Sequence, residues 1–308
     1  MRCLIVGVGV QGRKRRAVAG ADVAATVDPV APDANYRTLE DVPLDLYDAA
    51  LVCTPDRAKH AALSYLLSHR KHVLVEKPLL SDDPAALHGL EELARQSGVA
   101  CYTAYNHRFE PHVRRLKDVL NAGTLGAIYL ARFFYGNGTA RDVQRSPWRD
   151  QGAGVLTDLG SHLLDLTLFL FGAQPGPFVP WGAYRFENRA YDHCAFGVAG
   201  KPVFEYQTSL VCWRNTFSID IIGEKGSAHV HGLCKWGPST LTVRKRVLPS
   251  GRPEEEVKTV TGPDPTWELE HAHFRQLCRG GGTNPANDIW INAVLQEVAS
   301  RSGEARVA

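Results

Sequence analysis

The sequence predicts an α/β protein in which a doubly wound parallel sheet is followed by an α+β region. Two observations support this prediction. In residues 1–121, short apolar runs alternate with helical patterns, which is typical of parallel strands joined by crossover helices. In residues 122–308, strand-like runs rich in Val, Thr and aromatic residues follow one another beside a long apolar helix. A chain of 308 residues is long enough for about two domains, and we place their boundary between residues 121 and 122.

Apolar runs bounded by turn residues predict the strands of the N-terminal domain, and the periodic stretches between them predict its helices. Few residues separate the second strand from the third. That link has no room for a full crossover helix, so this unit is predicted to be abbreviated. The predicted strands are 3–6, 23–27, 49–53, 73–75 and 99–104, and the clearest helices are 57–69 and 83–97.

The C-terminal domain is predicted to combine consecutive strands with three helices. Its strands alternate or cluster β-branched and aromatic residues, whereas its helices carry longer apolar stretches. The predicted strands are 128–136, 178–187, 192–199, 202–211, 215–222 and 240–248, and the helices are 153–171, 266–279 and 285–301.

Net charge and cysteine content limit the partners and the compartment that the sequence predicts. The formal net charge is +2 and charged residues make up 22%, so neither a nucleic-acid nor a membrane partner is predicted. The basic run at 13–16 is interpreted as a solvated helix face. Seven cysteines with no C-x-x-C pair, and no signal-peptide pattern at the start, indicate a reducing cytoplasm rather than a disulfide framework.

The stretch "GVGVQG" at 7–12 fits the dinucleotide-binding pattern G-x-G-x-x-G, because it follows an apolar strand and opens a helical stretch. Gly7 permits the tight turn, Gly9 lets the backbone approach a pyrophosphate, and Gly12 allows close packing of helix on sheet. The free N–H groups of the helix N-terminus favour phosphates. Val10 and Gln11 complete the predicted cofactor-binding turn.

Asp28 stands at the carboxyl end of the second predicted strand, where an acid can accept the ribose hydroxyls of a dinucleotide and repel a 2′-phosphate. The prediction is therefore NAD rather than NADP. Arg13 and Lys14 keep NADP open, because basic side chains can receive that phosphate.

The stretch "HVLVEKPL" at 72–79 runs from a buried strand directly into Glu76 and Lys77. Ligands of open α/β sheets bind beyond the carboxyl ends of the strands, so Lys77 is predicted to reach the nicotinamide end of the cleft. An ammonium there can stabilise oxygen charge as hydride leaves carbon. The alternative is a surface Glu-Lys pair that ends the strand. Glu76 and Lys77 are both included among the cofactor contacts.

A second group of titratable residues lies in "TDLGSHLLDL" at 157–166. Asp158, His162 and Asp165 are spaced at i, i+4 and i+7, so they share one face of a helix. Histidine exchanges a proton near neutral pH, which suits His162 as the acid or base of alcohol oxidation. Asp158 is expected to bind the substrate or orient the imidazole. The alternative is a satisfied core histidine on an amphipathic helix.

Further candidates flank these two motifs. Asn106 and Arg108 follow the last strand of the first domain and can bind the nicotinamide amide or substrate hydroxyls. Trp148 and Arg149 precede the long helix and can stack on a sugar or bind its hydroxyls. The alternatives are packing for Trp148 and a surface salt bridge for Arg149. No metal site is predicted, because neither His-x-His pair has a further ligand at a recognisable spacing.

Three motifs stand in order along the chain: "GVGVQG", "VEKP" and "GAGVLTDLGSHLLDL". Together they resemble the Gfo/Idh/MocA family of NAD(P)-dependent oxidoreductases, the relatives of glucose–fructose oxidoreductase and inositol dehydrogenase. The segments 52–79, 104–109 and 287–302 are also similar to the family, so the resemblance covers essentially the whole chain.

The resemblance implies a Rossmann-type N-terminal domain and a C-terminal domain with a large, mostly antiparallel open sheet. The back of that sheet is expected to form a homo-oligomer, a dimer or tetramer. The family's catalytic lysine, aspartate and histidine correspond to Lys77, Asp158 and His162, and Asp165 matches a further acid. Thr54, Pro55 and His60 are expected near the adenosine or pyrophosphate.

These observations predict an NAD-dependent oxidoreductase that acts on a secondary alcohol or ketone of a sugar, sugar derivative, sugar nucleotide or cyclitol. Two alternatives stay open. One is a glycosidase that uses bound NAD to oxidise a ring carbon transiently. The other is an NAD-binding regulatory protein without turnover, which would not need the set Lys77, Asp158 and His162.

Overall fold

The computed structural model describes residues 1–147, 149–280 and 282–302. Packing divides these residues into two compact units. The first comprises 1–106 with 266–292, and the second comprises 107–265 with 293–302. The predicted boundary at 121 differs from this division, because 107–121 packs within the second unit and most of the C-terminal helical region within the first. The functional division at 121 stays a prediction.

The first unit contains a five-stranded, all-parallel sheet, which confirms the predicted doubly wound class. The strand order is β2-β1-β3-β4-β5. Its elements are β1 (Cys3–Val6), α1 (Val10–Ala19), β2 (Val23–Val27), β3 (Ala49–Val52), α2 (Asp56–Ser68), β4 (His72–Glu76), α3 (Pro84–Ser97) and β5 (Cys101–Ala104).

Helices cover both faces of this sheet, so its central strands are apolar throughout rather than alternating. Leu4 and Val6 of β1 belong to the cluster that contains the apolar residues of α2 and α3. Cys3 and Ile5, which point to the opposite face, pack with Ala19 of α1 and with the C-terminal helix region. The predicted core strands are therefore continuous buried runs.

The link from β2 to β3 is abbreviated, as predicted. In place of a crossover helix it contains a single 3₁₀ turn, Leu44–Leu46. The loop is tied to the strand end by a backbone bridge between Val27 and Tyr36. The carboxyl end of β2 consequently leads into a loop rather than into a helix.

The second unit contains an eight-stranded sheet that is antiparallel except for the pair β6–β9, which confirms the expected large open sheet. The order is β13-β12-β11-β10-β6-β9-β8-β7. Its strands are β6 (Ile128–Gly136), β7 (Val179–Tyr184), β8 (His193–Val198), β9 (Val203–Ser209), β10 (Thr216–Gly223), β11 (Gly226–His231), β12 (Ser239–Lys245) and β13 (Glu255–Val260).

The remaining helices are α4 (Pro111–Asn121), α5 (Ala140–Gln144), α6 (Val155–Asp158), α7 (Gly160–Phe171), α8 (Thr266–Gly280) and α9 (Pro285–Ser302). The helix predicted over 153–171 is therefore two helices with Leu159 between them. Asp158 ends α6, whereas His162 and Asp165 lie on α7, so the expected single stripe spans two elements.

Two further observations concern the state of the cysteines and the length of the helices. All seven cysteines are free thiols in the described part of the chain, and Cys3 and Cys101 are buried within strands of the first sheet. Among the described residues, no helix has the length and apolar character needed to cross a bilayer.

Candidate functional site

The glycine turn after β1 is shaped to admit a phosphate. Gly7 has φ +91°, and a Cβ there would lie 2.8 Å from the carbonyl oxygen of Cys53. A Cβ on Gly12 would overlap the carbonyl oxygen of Gly7. At Gly9, by contrast, an added Cβ would meet no atom of the described residues within 4 Å. The backbone is thus closed on the protein side and open where a ligand would approach, which fits a dinucleotide pyrophosphate.

Helix α1 begins directly behind this opening. Its N-cap is Gly9, in extended conformation and with no side chain to cap the helix. The first N–H groups of a helix have no intrahelical acceptor, and the macrodipole makes that end positive. Residues Val10 and Gln11 therefore present the N–H groups to which a phosphate can bind.

Asp28 follows β2 directly and binds the same turn. Its Oδ2 accepts a hydrogen bond of 2.8 Å from the N–H of Val8, and its Oδ1 accepts those of Val30 and Ala31. Burial alone would raise the pKa of Asp28, but these backbone donors and the charge of Arg37 hold the pKa below its ordinary value. These hydrogen bonds occupy three of the roughly four acceptor positions of the Asp28 carboxylate, which leaves room for one ribose hydroxyl.

Arg15 of α1 is buried, which corrects the prediction that the basic run 13–16 is wholly solvated. Its side chain is 1% exposed. Its Nε donates to Oε1 of Glu76 at 2.6 Å, and its Nη2 lies 2.7 Å from Oε2 of Glu270 on α8. The ring of Trp267 covers the guanidinium at 4.3 Å. Arg15 therefore joins helix α1 to the end of β4.

In this network the carboxylate of Glu76 binds Arg15, whereas Glu76 was predicted to contact the cofactor. The carboxylate of Glu76 has a side-chain exposure of 12% and is directed to Arg15. Glu270 is fully buried beside the same guanidinium, and its pKa is raised to about 7 by burial and by the charge of Glu76, despite Arg15. Two acids thus share one cation. A direct contact of Glu76 with the cofactor stays a prediction.

Lys59 fixes the backbone that follows Lys77. Its buried ammonium donates to the carbonyl of Pro78 at 2.7 Å and pairs with Asp56 at 2.6 Å. Burial lowers the pKa of Lys59, and Lys77 lowers it further, while Asp56 and Glu76 oppose both effects. The half-buried Lys77 is therefore carried on a segment that is held on both sides.

The other predicted cofactor residues also lie in the first unit. Thr54 and Pro55 stand between β3 and α2, where Pro55 is the N-cap residue. His60 is exposed, and its Nε2 lies 3.3 Å from the carbonyl of Ala86 on α3. Asn106 donates its amide to Oγ1 of Thr266 at 2.8 Å. Thr54 and Pro55 follow a strand at its carboxyl end, whereas the ring of His60 and the amide of Asn106 already have protein partners.

His162 lies in an aromatic cluster of the second unit. Its ring stacks on His107 with a centroid distance of 4.1 Å and an interplanar angle of 20°. Tyr135 of β6 lies 5.8 Å away, and Phe217 of β10 meets both Tyr135 and His107 edge-on. His162 is 6% exposed. The imidazole is thus held in a fixed plane, which a general acid or base requires.

Asp165 binds Arg108 through both of its carboxylate oxygens. Nε and Nη2 of Arg108 donate to the two carboxylate oxygens of Asp165 at 2.7 and 2.6 Å. Asp165 is 1% exposed, and burial raises its pKa although Arg108 opposes that shift. A bidentate pair of this kind engages both oxygens of Asp165 and two nitrogens of the Arg108 guanidinium. This contact fixes both side chains within the second unit, and substrate binding by Arg108 stays a prediction.

Asp158 and Arg149 form a looser pair, with 3.7 Å between Oδ2 and Nη2. The side chain of Asp158 is 43% exposed and that of Arg149 is 34% exposed, so both can still reach a ligand. Trp148, the predicted sugar-stacking residue, lies outside the described residues.

Sequence reasoning missed several residues of these clusters. Arg15 was detectable, because Gly12, Arg15 and Ala19 are spaced as one buried helical face. Tyr135, Lys235 and Trp236 carried no comparable pattern, since their proximity results from the pairing of distant segments. In the structure Nζ of Lys235 lies 3.1 Å from the hydroxyl of Tyr135.

The prediction of no metal site overlooked one carboxylate. Pairing of β10 with β11 sets Asp220 opposite His229, and with His231 these side chains could hold a metal ion. However, Nδ1 of His229 lies 2.6 Å from Asp220, and its Nε2 lies 3.1 Å from the guanidinium of Arg244. The ring already has partners at both nitrogens, so we assign no metal here.

Comparison with known proteins places this geometry in a family. The chain is 28% identical over 260 residues to the uncharacterized oxidoreductase YdgJ of Escherichia coli, covering 77% of this chain and 73% of that protein. It is 28% identical over 246 residues to the trans-1,2-dihydrobenzene-1,2-diol dehydrogenase of Bos taurus, covering 77% and 71%.

Solved structures show the same fold. Levoglucosan dehydrogenase in complex with NADH superposes with a TM-score of 0.83 at 16% identity, covering 99% of this chain and 97% of the other. The UDP-N-acetylglucosamine 3-dehydrogenase of Acidithiobacillus ferrooxidans gives 0.79 at 20% identity, covering 98% and 97%.

The family assignment rests on both halves of the chain. Residues 1–105 match the oxidoreductase family with an NAD-binding Rossmann fold, which confirms the predicted cofactor. Residues 113–229 match the GFO/IDH/MocA C-terminal domain. The chain therefore belongs to the GFO/IDH/MocA family of oxidoreductases.

Proposed function

We propose that this protein transfers hydride between NAD and a secondary alcohol or ketone of a polyhydroxylated compound: a sugar, sugar derivative, sugar nucleotide or cyclitol. The observation that carries the proposal is the fixed, stacked imidazole of His162 in a chain with an NAD-binding fold. Several similar proteins are named as dehydrogenases of such compounds, including glucose-6-phosphate 3-dehydrogenase and levoglucosan dehydrogenase.

The cofactor contacts that we propose follow the turn geometry. The N–H groups behind Gly9 bind the pyrophosphate, and Oδ2 of Asp28 accepts one ribose hydroxyl. The charge of Asp28 disfavours a 2′-phosphate, which supports NAD over NADP. Thr54 and Pro55 contribute backbone at the neighbouring strand end.

Three side chains carry the chemistry in this proposal. His162 removes the hydroxyl proton during oxidation and returns a proton to the same oxygen during reduction. Lys77 donates a hydrogen bond to that oxygen and stabilises its developing negative charge. Asp158 orients the substrate. The nicotinamide of bound NAD supplies the hydride acceptor, and the buried surroundings of His162 exclude water.

A screen of neutral and charged sugars, cyclitols and nucleotide sugars for NADH formation tests the proposal. Oxidation of at least one compound by the wild-type protein, and its loss in His162→Ala, is the expected result. Release of free sugar from a glycoside without net NADH would support the transient-oxidation glycosidase instead. Tight NAD binding without turnover of any compound would support the regulatory alternative.

A further inference from the structure

Two buried carboxylates hold the loop that joins β7 to β8 (185–192). Asp192 is fully buried and Asp150 is 8% exposed. Five successive N–H groups of this β7–β8 loop donate to them: those of Phe186, Glu187 and Asn188 to Asp192, and those of Arg189 and Ala190 to Oδ1 of Asp150. The contacts to Asp150 measure 2.7 and 2.9 Å. Because hydrogen bonds to a carboxylate are charge-assisted, the two acids fix the backbone of the loop.

Asp150 connects this loop to the turn that carries Arg149. In this turn the N–H groups of Arg149 and Asp150 both donate to the carbonyl of Ser146, at 2.8 and 3.1 Å. Asp150 thus belongs to the turn through its backbone and binds the β7–β8 loop through its side chain. Since Arg149 precedes Asp150 directly, the contact of Asp150 with the loop also limits where Arg149 can lie.

The same loop supports Asp158, which pairs with Arg149. The N–H of Val155, the first residue of α6, donates to the carbonyl of Tyr191 at 2.8 Å. Gly154 approaches this carbonyl so closely that an added Cβ would lie 2.4 Å from its oxygen. Asp158 is the last residue of α6. Arg149 and Asp158, with 3.7 Å between Nη2 and Oδ2, are therefore attached to one loop through two separate contacts.

We propose that Asp150 is a positioning residue of the substrate site: it holds Arg149 beside Asp158, and Arg149 binds a hydroxyl group of the polyhydroxylated substrate. The side chain of Arg149 is 34% exposed, whereas Oδ1 of the buried Asp150 is directed to the loop, so Asp150 acts through Arg149. A hydroxyl oxygen accepts from a guanidinium and its proton is donated to a carboxylate, which Arg149 and Asp158 together provide. This proposal rests on the proposed function, since it concerns the substrate of the same reaction.

The test is a double-mutant cycle between Asp150 and Arg149, measured with the best substrate of the screen at saturating NAD. Asp150→Ala should raise KM about 10–100-fold with little change in kcat, because the lost contact binds the substrate and the transition state equally. Asp150→Asn should restore KM, since its amide oxygen can accept the same two N–H groups. Adding Asp150→Ala to Arg149→Ala should raise KM no further. The control Asp142→Ala removes an exposed acid of α5 and should match the wild type.

Calorimetric titration of the same compound into the NADH complex separates this proposal from the proposed reaction. Non-additive effects of Asp150→Ala and Arg149→Ala on its Kd, with turnover retained in His162→Ala, would support the positioning role and contradict the reaction. Additive effects on KM, with turnover that depends on His162, would overturn the positioning role alone. A lower melting temperature of Asp150→Ala with wild-type KM would overturn it as well, because the residue would then serve only the fold. A wild type that neither binds nor oxidises any compound of the screen would contradict both.

Discussion

Replacement of Glu270 by glutamine should change how stability depends on pH. Glu270 is fully buried and shares Arg15 with Glu76, and its pKa is raised from 4.5 to about 7. An acid whose pKa is higher in the folded state than in the unfolded state stabilises the fold below its unfolded pKa. That contribution is lost as the pH rises towards the folded pKa. In Glu270→Gln the side chain is neutral at every pH, so the loss disappears.

The size of the effect follows from the two pKa values. A difference between 4.5 and about 7 corresponds to about 3 kcal/mol in total. Between about pH 5.5 and pH 8, the wild type should lose about 2 kcal/mol of unfolding free energy relative to Glu270→Gln. At pH 5.5 the wild type should already be about 1 kcal/mol less stable than Glu270→Gln, because the glutamate of the unfolded chain ionises above its pKa of 4.5. The two proteins should be similar only below that pKa, where the protonated glutamate resembles glutamine and Arg15 keeps its bond to Glu76.

Urea denaturation at the two pH values measures this difference. The control is Glu268→Gln, which neutralises an exposed acid of the same helix and should track the wild type at both pH values. If the stability gap between the wild type and Glu270→Gln stays constant across this range, the shared-cation network does not raise the pKa of Glu270, and the reasoning is refuted.

Three further outcomes follow from the geometry. Gly9→Ala should keep the thermal stability of the protein without cofactor, because its Cβ meets no atom of the residues that the structure describes within 4 Å, yet weaken NADH binding by about tenfold or more in calorimetry. Arg108→Met should lower the urea unfolding free energy by about 3–5 kcal/mol, since Asp165 would be left as an unpaired buried carboxylate; an unchanged value would contradict this. Asp28→Asn should improve NADP binding relative to NAD by about tenfold, and equal Kd ratios in both proteins would argue against charge-based selection.

The sheet of the first unit was predictable because each of its strands can be identified from its own run of apolar residues. Runs such as Cys3–Val6 and Ala49–Val52 are apolar at every position, which only strands buried on both faces require. The glycine turn was predictable for a similar reason, since Gly7 and Gly12 are demanded by local backbone geometry. By contrast, β13 (Glu255–Val260) is an exposed edge strand with charged residues, and its sequence contains no apolar face to detect.

The partners of charged side chains could not be predicted, because they join distant parts of the chain. Arg15 is 61 residues from Glu76, and Arg108 is 57 residues from Asp165. Each pair is selected by packing of elements whose mutual position the local pattern does not encode. Such a pair also gives a candidate residue a protein partner that its own sequence segment does not reveal, as the bidentate bond of Arg108 illustrates.

The central claim is that His162 and Lys77 act on the substrate, rather than maintain the fold or bind NAD. The direct measurement is kcat for the best substrate, together with the Kd for NADH, in His162→Ala, Lys77→Ala and the control His88→Ala, which alters an exposed histidine of α3. Acid–base and electrostatic groups predict that kcat falls about 10²–10⁴-fold in the first two variants, with little change in NADH affinity and none in the control. Near-normal kcat in both His162→Ala and Lys77→Ala would contradict the proposed mechanism.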